Sequence, residues 1–573
     1  MANERFPGKT LNLLSTPHRA INRVCVIGAG NVGAPVGAMI AYKTDIHVDV
    51  VDNDSERIAA WNSQFIPIYE PGLHHIVSCA RDGATVSEVA SSGGTQRVRK
   101  YRAKLVFSTD IEGAISAAEL IFICVNTPTK SDGVGKGVAV DLSYVETVTR
   151  IIARTALDDK IVVEKSTVPC RTARLIEVLL KLNSRPGVRF DVLSNPEFLS
   201  EGNAVSDLLC PDRILIGSSL TTEGYRAAAS LAEVYARWVE RGRIITMNVF
   251  SSELSKLAAN ALLAQRISSI NALSAICEAT GASIDEVSVA CGSDSRIGPE
   301  MLQAGLGFGG SCFRKDILSL VYLAESLHLE EIAHYWKAIV TINDGQKARF
   351  SKRILSRLHE VPGKRIAVFG FSFKKGTADT RESPAIGVVT DLILEGVQVS
   401  IYDPYVQEKQ IWNELRQNGC GAEQLQHALT ICTDMYEACI GAHAVVIATE
   451  LDELVPQKAI DSEDLLSTGE GSLEEKQWLV LTPGLPYNPG LPKASFPKPE
   501  NASWLSSQPR RSDAREKGRG QLDWARVAKH MKKPMFIFDG RGIIDSDRLK
   551  DFGFSVETIG RAISQTGSMT AFP

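Results

Sequence analysis

Apolar residues in this chain gather in short unbroken runs, each ending at a glycine or a polar or charged residue. Between the runs, apolar positions recur every three to four residues. Runs of this kind read as strands buried on both faces, and the intervening stretches read as helices packed over them. Arg23–Ile27, His47–Val51, Leu105–Ser108, Glu119–Val125 and Ile161–Glu164 make a first series. A second series begins at Arg365–Phe369 and continues through Val397–Pro404, Ala444–Thr449 and Phe536–Arg541. Strands alternating with helices predict the α/β class, with two doubly wound parallel sheets.

Between the two series, the pattern from Ser251 to Thr280 (SSELSKLAANALLAQRISSINALSAICEAT) is different. It is rich in Ala and Leu, lacks proline and stops at Gly281, which predicts one long helix. Its apolar residues run nearly all round, so it is expected to be a buried connector and an oligomer contact. Lys256 and Asn260 lie four apart on one of its faces. A lysine in so apolar a helix either reaches out to solvent or meets an anion, because burying an unpaired charge is costly.

Two stretches break the pattern. Residues 80–104 are rich in Ser, Gly and Arg and predict a surface insertion of low order. Residues 483–520 hold seven prolines up to Pro509, then Arg510, Arg511, Arg515, Lys517 and Arg519, and predict a disordered insert. The expected organisation is a flexible lead over 1–20, a nucleotide-binding domain over 21–250, a central helical domain over 251–360 and a second nucleotide-binding domain over 361–573. A chain of 573 residues requires several cores.

Composition narrows the function classes. A formal charge of −4 gives no basic footprint for nucleic acid or an anionic membrane. There is no apolar run of membrane-spanning length and no apolar leader core, so a cytoplasmic protein is expected. The 11 cysteines form no CxxC pair, which points to reduced thiols and away from a zinc site.

The first strand runs directly into Gly28-Ala29-Gly30-Asn31-Val32-Gly33 and then a helical pattern. In that context the glycines make a tight turn that seats a pyrophosphate on the helix N-terminus, the signature of a Rossmann-like dinucleotide site. The second strand ends in Asp52, placed to bond a ribose 2′-hydroxyl, which favours NAD over NADP. The second series has no such turn. In its place stands a loop carrying Lys374, Lys375 and Arg381.

Gly305–Asp316 (GLGFGGSCFRKD) leads four glycines and Ser311 into Cys312, with Arg314, Lys315 and Asp316 just behind. Nearby cations favour the thiolate, so Cys312 is either a covalent nucleophile or an inert buried thiol. Glu197 and Glu201, four apart beside Pro196 and Gly202, form either a solvated face or an acid/base pair.

Taken in order, GAGNVG, VNTPT, EKSTVP, NPEFLSEG, the long helix, SRIG, GFGGSCFRKD, GFSFKKGTADTRESPA, YDP and FIFDGR resemble the UDP-glucose/GDP-mannose dehydrogenase family, in particular its UDP-glucose branch. The resemblance implies oxidation of the C6 alcohol of UDP-glucose to a carboxylate with two NAD, through a thiohemiacetal and a thioester on Cys312. It implies catalytic roles for Lys256 and Asn260 at the oxyanion, and for Thr167, Glu197 and Asp316 in proton transfer and hydrolysis. It implies NAD contacts from Gly28, Gly30, Val32, Gly33, Asp52, Arg57, Thr127, Thr167, Glu201 and Arg381. The nucleotide sugar is then met by Glu197, Phe198, Leu199, Lys256, Asn260, Gly309, Phe373, Lys374 and Arg541. Arg296 resembles an arginine that reaches a neighbouring subunit's substrate in a dimer or hexamer. Met301 and Gln303 depart from the family pattern, where an aromatic residue and a lysine are expected. The alternatives are a dehydrogenase of GDP-mannose or a UDP-N-acetylhexosamine, and a non-catalytic regulatory relative.

Overall fold

The computed structural model describes residues 20–89, 96–358, 361–454 and 521–562, with the backbone alone over 84–89 and 96–101. The expected lead and the proline-rich insert at 483–520 lie outside the described residues. The chain forms two compact units. One comprises residues up to Leu262 together with Cys312–Ala338; the other comprises Leu263–Ser311 and the described residues from Ile339 on.

The first unit carries β1 Arg23–Ile27, β2 His47–Val51, β3 Ala84–Val89, β4 Gln96–Tyr101, β5 Leu105–Ser108, β6 Leu120–Ile123, β7 Lys160–Glu164, β8 Phe190–Ser194, β9 Ile214–Ser218 and β10 Ile244–Asn248. Eight of them form one sheet in the order β10-β9-β8-β7-β6-β1-β2-β5. From β5 to β8 the strands are parallel. At the edge, β9 joins β8 antiparallel through Ser194 and Gly217, and β10 then runs parallel to β9. The sheet is therefore parallel over six strands and mixed at one edge. Strands β3 and β4 pair antiparallel as a separate hairpin, so the stretch expected to have low order has a backbone ladder from Ala84↔Tyr101 to Val89↔Gln96.

The second unit carries β11 Arg365–Phe369, β12 Gln398–Tyr402, β13 Leu429–Ile431, β14 Ala444–Ile447, β15 Phe536–Asp539 and β16 Ser555–Thr558. All pair in parallel in the order β13-β12-β11-β14-β15-β16. Counted along each series, both parallel arrays have the strand order 3-2-1-4-5-6, which places a crevice at the carboxyl ends of the strands where the order reverses.

Side-chain alternation explains why each sheet is covered on both faces. In β1, Val24 and Val26 belong to one buried cluster with Trp61, while Cys25 and Ile27 belong to another with Ile121 and Ile152. In β11, Ile366 and Val368 pack with Leu392, while Ala367 and Phe369 pack with Trp524. Each large side chain buried in this way contributes roughly 1.5–3 kcal/mol.

The long helix spans Val249–Thr280, and Gly281 follows with φ +84°. It is not buried all round as the pattern suggested. Its inward stripe is notably polar, with Ser252, Glu253, Lys256, Asn260, Asn271 and Ser274 all buried, while Leu254, Leu262, Leu273 and Ile276 are exposed. Among the described residues no helix is long and apolar enough to cross a membrane.

Candidate functional site

In the first unit, β1 delivers the chain into the glycine turn. Gly28 has φ +110°, and a Cβ there would collide with the Cys124 carbonyl. Only glycine satisfies both demands. A Cβ at Gly33 would likewise strike the Gly28 carbonyl. Gly30 differs, because nothing lies within 4 Å of where its Cβ would stand, so the turn presents bare backbone to open space. The helix Gly33–Lys43 starts there at Val32 with no side-chain cap, so no side chain competes with an anion for its N-terminus, although Ala34 N donates to Gly30 O at 3.3 Å and Pro35 has no N–H. Asp52 is buried and accepts from Ala29 N (2.8 Å), Asp54 N (3.0 Å) and the Arg57 guanidinium (3.2 Å). A carboxylate offers about four acceptor positions, so one remains for a ribose hydroxyl. These residues fit a dinucleotide.

The loops after β6 and β7 are tied to one another. Thr127 donates its hydroxyl to the Thr167 carbonyl at 2.8 Å, and Lys315 Nζ reaches Thr127 O and Oγ1, each at 3.3 Å. Thr167 is half-buried at the start of the second loop.

After β8 the NPEFLSEG segment is not helical. Glu197 and Glu201 therefore do not share a helix face. Glu197 Oε2 accepts from Leu199 N at 2.6 Å, and its Oε1 accepts from Lys256 Nζ at 3.0 Å, with both side chains under 10% exposed. Lys256 thus meets an anion rather than solvent. Burial raises the Glu197 pKa, but Lys256, the Leu199 N–H and Lys165 more than offset it and hold the carboxyl below its usual range. Burial lowers the Lys256 pKa, and the charges of Glu197, Asp316 and Cys312 outweigh this, so it lies above the ordinary lysine value. Phe198 packs between two cations, with Arg213 at 4.0 Å and Lys256 Nζ at 5.3 Å from its ring centre.

One helical turn beyond Lys256, Asn260 donates to Asp316 Oδ2 at 2.6 Å. Asp316 is 1% exposed, and its Oδ1 has no hydrogen-bond partner among the described residues. Burial raises the Asp316 pKa against the pull of Lys315, Lys256 and Asn260. Cys312 heads the helix Phe313–Ser326 that carries Asp316, and its carbonyl accepts from Asp316 N at 2.9 Å. The thiol is exposed, which removes the reading of an inert core cysteine.

Sequence reading missed Lys165 in this group. It is buried, and its Nζ donates to Asn195 O (3.0 Å) and Oδ1 (3.1 Å), while Tyr235 OH donates to the same Oδ1 at 2.6 Å. Burial pushes its pKa down to about 8. The signal was a charged pair, Glu164-Lys165, at the carboxyl end of the apolar run Ile161–Val163, in a strand buried along its whole length.

In the second unit, Gly309 lies where a Cβ would stand 2.5 Å from the Glu382 carbonyl and 2.9 Å from Phe373 Cβ. Gly310 N donates to the Arg381 carbonyl at 2.8 Å. Arg541 donates to Ala448 O (2.7 Å) and Phe373 O (3.3 Å), and burial pushes its pKa down to about 10. Lys374 Nζ lies 5.6 Å from the Phe373 ring centre. Gly309, Phe373, Lys374, Arg381 and Arg541 are thus connected through their loops, and the cations suit a diphosphate. The departure Gln303 donates to the Arg541 carbonyl at 3.2 Å, so its amide helps to hold this cluster. Met301 has φ +61° and is exposed. Arg296 is on the surface, 87% exposed and paired with Asp294 at 2.6 Å.

Comparison with known proteins agrees with this geometry. The NAD binding domain of the UDP-glucose/GDP-mannose dehydrogenase family matches residues 22–239, its central domain 250–345 and its UDP binding domain 367–468. The chain is similar to UDP-glucose 6-dehydrogenase of Drosophila melanogaster, at 45% identity over 96% of this chain and 98% of that one. It is also similar to UDP-glucose 6-dehydrogenase 3 of Arabidopsis thaliana, at 44% over 95% and 98%. Among solved structures, a UDP-glucose dehydrogenase from Pyrobaculum islandicum superposes with TM-score 0.63 at 32% identity, covering 76% of this chain and 91% of that one. A glycine turn fit for a dinucleotide, a lysine paired with a buried glutamate, and three family domains in succession show that this chain belongs to the UDP-glucose/GDP-mannose dehydrogenase family.

Proposed function

We propose that this protein oxidises UDP-glucose at C6 to UDP-glucuronate in two successive NAD-dependent steps, with Cys312 as the covalent nucleophile. NAD, when bound, accepts a hydride from C6 in each oxidation. Lys256, protonated and held by Glu197 at 3.0 Å, offers a fixed positive charge to the C6 oxygen as it becomes anionic. The Asn260 amide adds a second donor one turn along. The Cys312 thiolate adds to the aldehyde carbon, giving a thiohemiacetal alkoxide beside Lys256. Loss of the second hydride leaves a thioester, a water adds to its carbonyl carbon, and the C–S bond breaks to return the thiol and the carboxylic acid.

Of the candidate proton acceptors, Asp316 is best suited. Its pKa is raised by burial and its Oδ1 is unpartnered among the described residues, whereas Glu197 is held ionised against Lys256. Thr167 supplies a hydroxyl that orders the water. In the second unit, Phe373, Lys374 and Arg541 suit a uridine diphosphate, and Arg381 suits an anionic cofactor group. The exposed leucines of the long helix suit a second copy, so we read the protein as a cytoplasmic homo-oligomer in which Arg296 reaches a neighbour; light scattering tests the oligomer.

The observation that carries the proposal is the pairing of Lys256 with Glu197 and of Asn260 with Asp316, on the helix that Cys312 heads. The test is the number of NADH formed per UDP-glucose consumed, with the product identified by mass. Two NADH and UDP-glucuronate support the proposal. One NADH and an aldehyde would reduce the enzyme to a simple alcohol dehydrogenase, and turnover of GDP-mannose or a UDP-N-acetylhexosamine alone would move it to another branch.

A further inference from the structure

The glycine stretch before Cys312 has an unusual support. Gly305–Phe308 belongs to no strand or helix, yet its backbone groups are paired with side-chain amides. Asn343 closes a two-bond ring on Phe308, accepting from Phe308 N at 2.8 Å and donating to Phe308 O at 3.2 Å. At Gly305, Asn271 Oδ1 accepts from the backbone N at 2.8 Å and Gln346 Nε2 donates to the carbonyl at 2.8 Å. Gln346 is itself oriented by Arg349, which donates to its Oε1 at 2.6 Å. All three amides are at most 5% exposed. Between the two anchored residues, Gly307 has φ +113°, and a Cβ there would strike Asn343 Oδ1, so the asparagine at 343 leaves room only for glycine at 307.

The same segment is stitched to the Arg541 turn. Leu306 N donates to Gly540 O at 3.1 Å, and Gln303 donates to Arg541 O. Gly309, the residue next to the anchored Phe308, packs on Phe373. The amides therefore fix, through backbone, the two ends of the cationic cluster assigned above to the diphosphate.

We infer that Asn343, with Asn271 and Gln346, is a positioning clamp that sets the sugar-nucleotide affinity by holding Gly309 and Arg541 in register. The inference rests on the UDP-sugar reading of that cluster. Asn343→Ala removes both bonds to Phe308, and Gln346→Leu removes the bond to Gly305 O. The expected result for Asn343→Ala is a KM for UDP-glucose raised about ten-fold or more, with the KM for NAD within about two-fold of wild type. Equal losses for both substrates, or a lowered melting temperature with unchanged kinetics, would show a merely structural role and overturn the clamp. If Asn343→Ala does not fold, Gln346→Leu is read by the same split, and Asn343→Asp, which keeps the acceptor, should fall between wild type and Asn343→Ala.

Calorimetric titration with UDP alone separates the two readings. Wild type that binds UDP but does not oxidise UDP-glucose would sink the proposed reaction, while weaker UDP binding by Asn343→Ala would still support the clamp. Equal UDP affinity in wild type and variant would overturn it, and no binding of UDP by wild type would remove both.

Discussion

Replacing Lys256 by methionine should uncover the cost of the charge it neutralises. Lys256 Nζ lies 3.0 Å from Glu197 Oε1, with both side chains under 10% exposed. At an effective dielectric of about 20 their attraction is about 5.5 kcal/mol at most, and breaking buried pairs from one side costs roughly 3–5 kcal/mol. The sign of the pH dependence follows from Glu197. In the wild type its folded pKa is depressed, so its contribution to stability is present above the unfolded value of about 4.3 and is lost as pH falls through the folded value. Without Lys256, burial prevails and the folded pKa rises above the unfolded one. The destabilisation should therefore be small near pH 4, grow as pH rises through that window, and reach about 3 kcal/mol at pH 8, with the remaining Lys165 moderating it. Urea unfolding at pH 5 and pH 8 reads this difference. The partner variant Glu197→Gln removes the buried anion, so Lys256→Met/Glu197→Gln should be far less destabilised than the sum of the single variants. In steady-state assays Lys256→Met should lose about 10²–10³-fold in kcat. A pH-independent stability cost, or an additive double variant, would refute the reasoning.

Other predictions use the same assays. Cys312→Ser should stop at or before one NADH per UDP-glucose or accumulate an adduct visible by mass; full conversion to the acid would exclude the thioester. Asp316→Asn should lose about 10²-fold or more in kcat. It should also melt higher than wild type at neutral pH, because a carboxyl with a raised folded pKa removes stability as pH climbs through that value; the gain should vanish below about pH 4. Gly30→Ala should leave the melting temperature unchanged and raise the KM for NAD, since its Cβ meets only open space, whereas Gly28→Ala should unfold at markedly lower temperature, since its Cβ meets the Cys124 carbonyl.

Much of the fold was legible because buried parallel strands write themselves as uninterrupted apolar runs. The runs at 23–27 and 365–369 needed no context, and the glycines at 28, 30 and 33 named the turn that follows the first. Strands at 214–218 and 244–248 passed unnoticed; the latter sits at the sheet edge with exposed Ile245 and Met247 only half-buried. The hairpin at 84–101 was hidden by a Ser- and Gly-rich composition that says little about backbone pairing. Site residues within recurring motifs could be nominated, but their electrostatics could not. That Glu197 is held ionised and Asp316 is pushed toward neutrality depends on which cation each one faces across the fold. Asn271, Asn343 and Gln346 look like ordinary polar positions on helices. They point inward because a glycine loop, having no strand beside it, leaves its N–H and C=O groups to be met by side chains.

The shared strand order of the two sheets has a practical meaning. Each is the same socket, and the link leaving the first strand differs sharply between them. That link is residues 28–32 in one unit, short and without a charged side chain, and residues 370–383 in the other, long and armed with Lys374 and Arg381. Exchange of core residues between the sheets should alter only how firmly each holds together. Transplanting a link should change part of what the socket accepts, alongside Asp52 in one unit and Arg541 in the other, while the core residues beneath only support them.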